Sequence, residues 1–338
     1  MATNTTPYGP ADEGMHEPTQ ERFFSESAYF ALYDASSGVG GMMRVAHRVN
    51  DGYAEMTLNL PMPDGTVVFD YKRTDIVTDQ FFKAATMEIE CTEPLQTVRL
   101  SYDDDAVLLK DPTLLATNTR RAMREEPRIK TEVDFTYEAL HPNIEKITAT
   151  GDLSSGELPL ARDHFEQFGV ISGSVKVGDN TYKIERGLTM RDHSWGPREW
   201  VSPVYWRQAL PMMEDGTCVS ASRIGLSETE AATGGLIIDP DGTTHAGGVA
   251  KIETEQEYKG APTFEGAYTV DLETEDGSTF HADATVLAFI PLRHRHPDTD
   301  TVMRVGQALC KFESDDKVGY GWTDFWKRLD GGDPWASA

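Results

Sequence analysis

Asp-Gly steps and one close relative recur at Asp51-Gly52, Asp64-Gly65, Gly178-Asp179-Asn180, Asp215-Gly216, Asp241-Gly242 and Asp276-Gly277, and they constrain the fold more than any other feature. Glycine adopts the positive φ that a tight reversal demands, so each step predicts two antiparallel strands joined by a hairpin turn. The flanking segments agree. Residues 53–60, 66–72, 86–91, 97–102, 131–139, 169–177, 181–186 and 204–211 alternate apolar with polar or are rich in β-branched and aromatic residues. So do 217–225, 235–238, 247–253, 267–273, 279–289, 302–312 and 318–325. Helical periodicity is nearly absent, so the chain reads as all-β with few short helices.

Roughly 15 to 18 hairpin-joined strands favour two closed or half-closed antiparallel barrels over one sheet, because open sheets leave unpaired edges. The 338 residues suffice for two such domains. The reading is an unstructured tail over 1–18, one barrel over 19–187 and another over 188–338. A short helix is expected to open at Thr19, a glycine-rich turn at 36–41, and a long loop or lid of the first barrel at 110–128.

The formal charge of −25 argues against nucleic acid and anionic membrane as partners, since both need a positive footprint. No run approaches the roughly 18 apolar residues of a membrane span, and the polar N-terminus has no signal-peptide core. A cytoplasmic protein is the expectation. The three cysteines, Cys91, Cys218 and Cys310, are widely spaced without a CxxC and imply neither a disulfide framework nor a zinc knuckle.

Against this background the stretch 184–201 stands out. It crowds Arg191, Asp192, His193 and Arg198 together with Trp195 and Trp200 around a Gly196-Pro197 turn. A strand that only filled a core would avoid this mixture. It reads as the lining of a site or as a latch between domains.

Three segments here, 164–169, 173–177 and 191–198 with its Asp-His-Ser-Trp-Gly core, resemble the superfamily of AttH-like proteins and carotenoid 1,2-hydratases (hydroxyneurosporene synthases). Glu26-Ser27-Ala28-Tyr29-Phe30, residues 38–44 and the closing 319–324 extend the resemblance over nearly the whole chain, closest to an uncharacterised bacterial branch. It implies two lipocalin-like barrels packed together and cofactor-free chemistry on large apolar molecules. Where the carotenoid hydratases carry an acidic residue about a strand later, this chain has Ser220 and Ser222.

Hydration of an alkene, or its reverse, needs a proton donor, a base for water and a stabiliser of positive charge. Side chains alternate across a strand, so His193 and Trp195 are expected on one inward face and Asp192 on the other. His193 is read as the proton exchanger, Trp195 as the cation stabiliser and Glu166 as a second proton-transfer group. Asp192 is read either as an ion-pair latch with Arg186, Arg191 or Arg198, or as the acid. Substrate contacts are expected from Tyr29, Phe30, Trp200, Tyr205, Trp206, Tyr320 and Trp322, with Arg198 a latch or a carboxylate ligand. His294-Arg295-His296 reads as a Pro-flanked surface loop, and neither a metal nor an organic cofactor is expected. The leading function is a hydratase or dehydratase for a terpenoid-, steroid- or polyketide-like molecule. An isomerase or cyclase in the same cavity is the first rival, and a non-catalytic carrier, which needs no ionisable group there, is the second. A purely structural role for the 191–195 cluster is a third.

Overall fold

A computed structural model describes residues 8–141, 163–225, 227, 230–254 and 267–331. Its strands fall into two large antiparallel sheets, one in each of two compact units. Among the described residues the first unit takes in 8–110, 126–141 and 163–199, and the second takes in 111–125 and those from 200 to 331.

In the first unit the strands are β1 (Phe24–Asp34), β2 (Val39–Arg48), β3 (Tyr53–Pro61), β4 (Val67–Thr74), β5 (Phe82–Ala84), β6 (Met87–Glu93), β7 (Thr97–Leu109), β8 (Arg128–Ala139), β9 (Asp163–Val177) and β10 (Asn180–Pro197). They pair in the order β4-β3-β2-β1-β10-β9-β8-β7-β6-β5. A further ladder, Val67↔Leu109 to Phe69↔Val107, joins β4 to β7 and nearly closes a barrel. Ala28, Phe30, Val45, Met56, Leu58, Leu100, Phe135 and Ile171 fill its interior. These are alternate residues of their strands, so one face of each strand supplies the core.

The second unit holds β11 (Tyr205–Met213), β12 (Cys218–Gly225), β13 (Ala231–Ile238), β14 (Thr244–Gly247), β15 (Val249–Thr254), β16 (Ala267–Glu273), β17 (Thr279–Arg295), β18 (Val302–Ser314) and β19 (Lys317–Leu329). Their order is β14-β13-β12-β11-β19-β18-β17-β16-β15. Thr233 of β13 ties to β15 through its hydroxyl, which donates to the Ala250 carbonyl and accepts from the Ala250 amide. That link brings a strand next to one end of the sheet beside the strand at the other, and limits the exposure of both. The core here is Ala209, Val219, Val270, Leu272, Phe312 and Phe325.

Each of the six Asp-Gly-type steps joins consecutive antiparallel strands, and each glycine has positive φ, from 58° at Gly178 to 98° at Gly216. No helix among the described residues is long and apolar enough to cross a membrane.

Several expectations require correction. No helix opens at Thr19; the chain turns there into β1, which begins at Phe24 and runs to Asp34 with nearly every residue buried. Gly40 and Gly41 lie inside β2 and not in a turn. A Cβ on Gly41 would come within 3.1 Å of Leu32 and Leu60, so the glycine answers to close packing between strands. Residues 111–125 are not a lid of the first barrel. They cluster with the second unit as two short helices, α1 (Leu114–Thr117) and α2 (Thr119–Arg124), the second capped by the Asn118 side chain on the Arg121 amide. Arg293 of β17 donates to Thr119 at 3.0 Å. His294 and Arg295 belong to β17, where His294 stacks on Trp200. β10 continues to Pro197, past the expected boundary after residue 187. Residues 8–18 of the expected tail are ordered around a 3-10 turn, Pro10–Glu13, and their polar side chains find buried partners described next. Residues 1–7 lie outside the described chain.

Candidate active site

The β1–β10 ladder sets Ala28 opposite His193, and β9 sets Phe165 on the other side of it. Ala28 and Phe30 face the core, so parity turns Glu26 on β1 and Arg191, His193 and Trp195 on β10 into the same interior. His193 Nε2 lies 3.0 Å from Glu26 Oε1, and both side chains are 3% exposed. The same oxygen takes a second imidazole, His16 Nδ1 at 2.7 Å, while the His16 backbone amide donates to Glu26 Oε2 at 2.9 Å. The His16 ring stacks on Trp195, with centroids 3.8 Å apart and planes 9° from parallel.

Aromatic edges surround His193. Phe82, Trp195 and Phe165 stand 5.2, 5.3 and 5.4 Å away by centroid, each steeply tilted to the imidazole. Burial alone pushes the Glu26 carboxyl up, but the hydrogen bonds from His16 and His193 and the His193 charge outweigh it, so Glu26 titrates below its ordinary value. It is a carboxylate at neutral pH, and it holds the His193 ring by Nε2. Nδ1 is left as the ring nitrogen that can meet a ligand.

Two residues along β10, Arg191 forks onto Glu13, with Nη1 to Oε1 at 2.5 Å and Nη2 to Oε2 at 2.8 Å. Its Nε donates to Gln167 Oε1 at 2.9 Å, and Gln167 is fixed by the carbonyls of Leu95 and His141. The guanidinium carbon lies 5.2 Å from the ring centroids of both Tyr137 and Phe165. Desolvation works against the charged form, yet Glu13 holds the Arg191 guanidinium more firmly protonated than usual and is itself held below the ordinary carboxylate range against its own burial.

Between these two centres lies a small cavity of about 50 Å³, lined by Glu13, Met15, Phe30, Phe82, Arg191 and His193 among others. Cys91 also borders it, but burial, then the charge of Glu13, pushes its thiol up to about 11, so it is no thiolate nucleophile at neutral pH.

Of the residues expected to form a site, the structure gathers His193, Trp195 and Phe30 around this interior. Asp192 and Glu166 stand directly opposite each other on the outward face of β10 and β9, beside His164. Asp192 borders the cavity between its two neighbours, but strand parity turns its side chain away from His193 and towards Glu166. The expected ion pair of Asp192 with Arg191 is not formed, because Arg191 turns inward to Glu13. Tyr29 shares the outward face of β1. The Arg198 amide donates to the Phe23 carbonyl, and its own carbonyl accepts from Arg48. Trp200, Tyr205, Trp206, Tyr320 and Trp322 all belong to the second unit. There Trp200 and Trp206 pack against Trp326, the Trp206 indole donates to Ser222, and the Arg223 side chain donates to the Tyr205 hydroxyl.

Sequence reasoning missed Glu26, His16, Glu13, Gln167 and Phe82. The one signal available was Glu26 itself, an acid between Phe24 and Phe30 on the apolar parity of its strand. The ligating atoms of His16, Glu26 and His193 lie within 4.8 Å of one another, as do those of His164, Glu166 and Asp192. In the first group the ring nitrogens already share one carboxylate oxygen at hydrogen-bond distance, so ring protons satisfy the arrangement.

Solved structures share the fold, and three of them illustrate it. The crystal structure of an AttH-assigned protein from Nitrosomonas europaea superposes with a TM-score of 0.59 at 13% identity, over 96% of this chain and 98% of that one. Kievitone hydratase from Nectria haematococca, and CghA solved with Sch210972, each give a TM-score of 0.54 at 10% identity, over 98% of this chain and 97% of theirs. At such identities the likeness speaks for the lipocalin-like fold. No curated protein matches the chain in sequence. A family model does, across residues 9–328 and so across both units, and the chain belongs to that family, described as a domain of unknown function (DUF7064).

Proposed function

We propose that the interior of the first unit is the active site of a hydratase or dehydratase acting on an apolar terpenoid-, steroid- or polyketide-like molecule. One observation carries the reading: a buried imidazole–carboxylate pair, His193 with Glu26, is walled by Trp195, Phe165 and Phe82 and borders a cavity. The fold likeness to kievitone hydratase agrees with it.

The chemistry follows from the geometry. Glu26 fixes the His193 ring through Nε2, so His193 delivers or removes a proton at carbon or at water through Nδ1. Positive charge that develops on the substrate faces aromatic rings, an attraction of about 0.5 to 2 kcal/mol. Apolar walls exclude bulk water, which confines hydration to a water placed in the cavity.

The test is turnover of alkenes and alcohols of these classes in heavy-oxygen and deuterated water, followed by mass spectrometry. Solvent oxygen at one carbon and deuterium at its neighbour, lost together in His193→Gln, is the expected result. Deuterium without oxygen would assign isomerisation or cyclisation to the same pair. Tight binding with neither label would leave a carrier and end the lyase reading.

A further inference from the structure

The cavity of about 50 Å³ is far smaller than the roughly 300 to 1,000 Å³ of sites that enclose molecules of drug size. Part of its wall is the segment 8–18, which belongs to no strand and sends Glu13 and Met15 into the cavity. Beyond Glu13, its polar anchors include Tyr8 on Asp163 and His16 on Glu26.

Glu13 does more than fill space. It presents a carboxylate squarely to a guanidinium that residues outside this segment already hold in place. Gln167 fixes Arg191 Nε, and the rings of Tyr137 and Phe165 flank its charge. Such a planar two-point fork matches planar or tetrahedral oxyanions, and the group that fills it here is a carboxylate. The Arg191 side chain is 3% exposed, so its charge needs an anionic partner whenever Glu13 is elsewhere.

We propose that Arg191 is the carboxylate-recognising residue of the substrate site, and that Glu13 is the internal stand-in for the substrate's acid group. The proposal rests on reading this interior as the substrate site, and it names the substrate class as apolar carboxylic acids. Arg191 and His193 share a face two positions apart on β10, about 6.6 to 6.8 Å along the strand. Entry of the acid exchanges one carboxylate for another on Arg191 and displaces the segment 8–18, which enlarges the cavity to take the apolar body.

The experiment is calorimetric titration of the full chain with geranic acid and with methyl geranate. Glu13→Gln removes the internal competitor, so it binds the acid about tenfold or more tighter than the parent, and the ester gains less because it offers Arg191 no carboxylate. The double variant Glu13→Met/Arg191→Met removes both charges together and leaves no orphaned ion; it binds acid and ester alike. Equal acid affinity in parent and Glu13→Gln, absence of acid binding, or an acid preference surviving in the double variant would each overturn the proposal. If Glu13→Gln does not fold, hydrogen exchange on the parent decides. Saturating acid accelerates exchange over 8–18, and an unchanged rate is the overturning result. These readouts are of binding, so a chain that binds acids without turnover loses only the lyase reading. One that hydrates alkenes but treats acid and ester alike loses only this proposal.

Discussion

His193 and Glu26 are 167 residues apart in sequence and 3.0 Å apart in space, on adjacent strands of one barrel wall and almost wholly buried. A carboxylate in that position sets the orientation of the imidazole, so the two residues are expected to fail as a unit.

His193→Gln keeps a donor for Glu26 and removes the titrating ring. Turnover is expected to fall by about 10² to 10⁴, the range of general acid–base catalysis, with the melting temperature little changed. Kinetics and thermal unfolding on the same sample check this. Equal activity in the variant would remove His193 from the chemistry.

Glu26→Gln leaves an amide where His16 and His193 both donate. Its oxygen can still accept from the two rings, but its NH₂ then faces the His16 backbone N–H, which can only donate, and the lost charge-assisted bonds cost about 1.5 to 3 kcal/mol of stability. Urea denaturation measures it, and activity is expected to drop with that of His193→Gln. Stability within 0.5 kcal/mol of the parent, roughly the spread of surface substitutions, would mean the pair is not held as described.

Acid should weaken the fold partly through Glu13. Its carboxyl, of ordinary value 4.5, titrates lower in the folded chain, because Arg191 outweighs burial. The unfolded chain therefore takes up this proton first as pH falls. The stabilisation is complete above about pH 4.5 and is lost as pH drops through the lowered native value. Other lowered carboxylates add to the loss, so the measurement is a difference in urea midpoints across pH 3 to 7. Glu13→Met/Arg191→Met should fall less steeply than the parent below about pH 4.5.

Asp192→Asn separates an ion-pair latch from a cross-strand carboxylate. Breaking a buried pair would cost about 3 to 5 kcal/mol. Asp192 instead faces Glu166 across the β9–β10 ladder, and like charges directly opposite destabilise a sheet by about 0.2 to 1 kcal/mol. The expected outcome is a stability change under about 1 kcal/mol, neutral or favourable, with activity retained.

Gly169→Ala tests the wall behind Arg191. A Cβ there would lie 2.2 Å from Tyr137 Cε2 and 2.6 Å from the Glu138 carbonyl, which is backbone and cannot swing away. A loss of about 1 to 3 kcal/mol in urea denaturation is expected from such overpacking.

The turns and strand faces were legible because their causes are local. Positive φ at Gly52 or Gly277 is a property of that residue, and the placement of His193 with Trp195 follows from a period of two along one strand. Where two local signals competed, the sequence misled. Gly40 and Gly41 resemble a turn but sit in β2, where lack of a side chain permits close packing, and the Leu114 to Arg124 helices hide in what reads as loop.

What surrounds His193 was not legible. Register between strands far apart in the chain decides that Glu26 meets His193, that Asp192 meets Glu166 and that Arg191 turns to Glu13, and register is a collective outcome of the whole buried face. The aromatics from Trp200 onward resemble pocket walls in sequence, yet they pack within the second unit. Segment 8–18 carries no strand or helix pattern of useful length, so only its tertiary partners order it. The sequence by itself determined an all-β chain, its hairpins and which side chains share a strand face, since these depend on neighbours a few residues away. Only the tertiary structure decided which faces meet, and so which acid, which imidazole and which guanidinium share a cavity, because desolvation and pairing act through space.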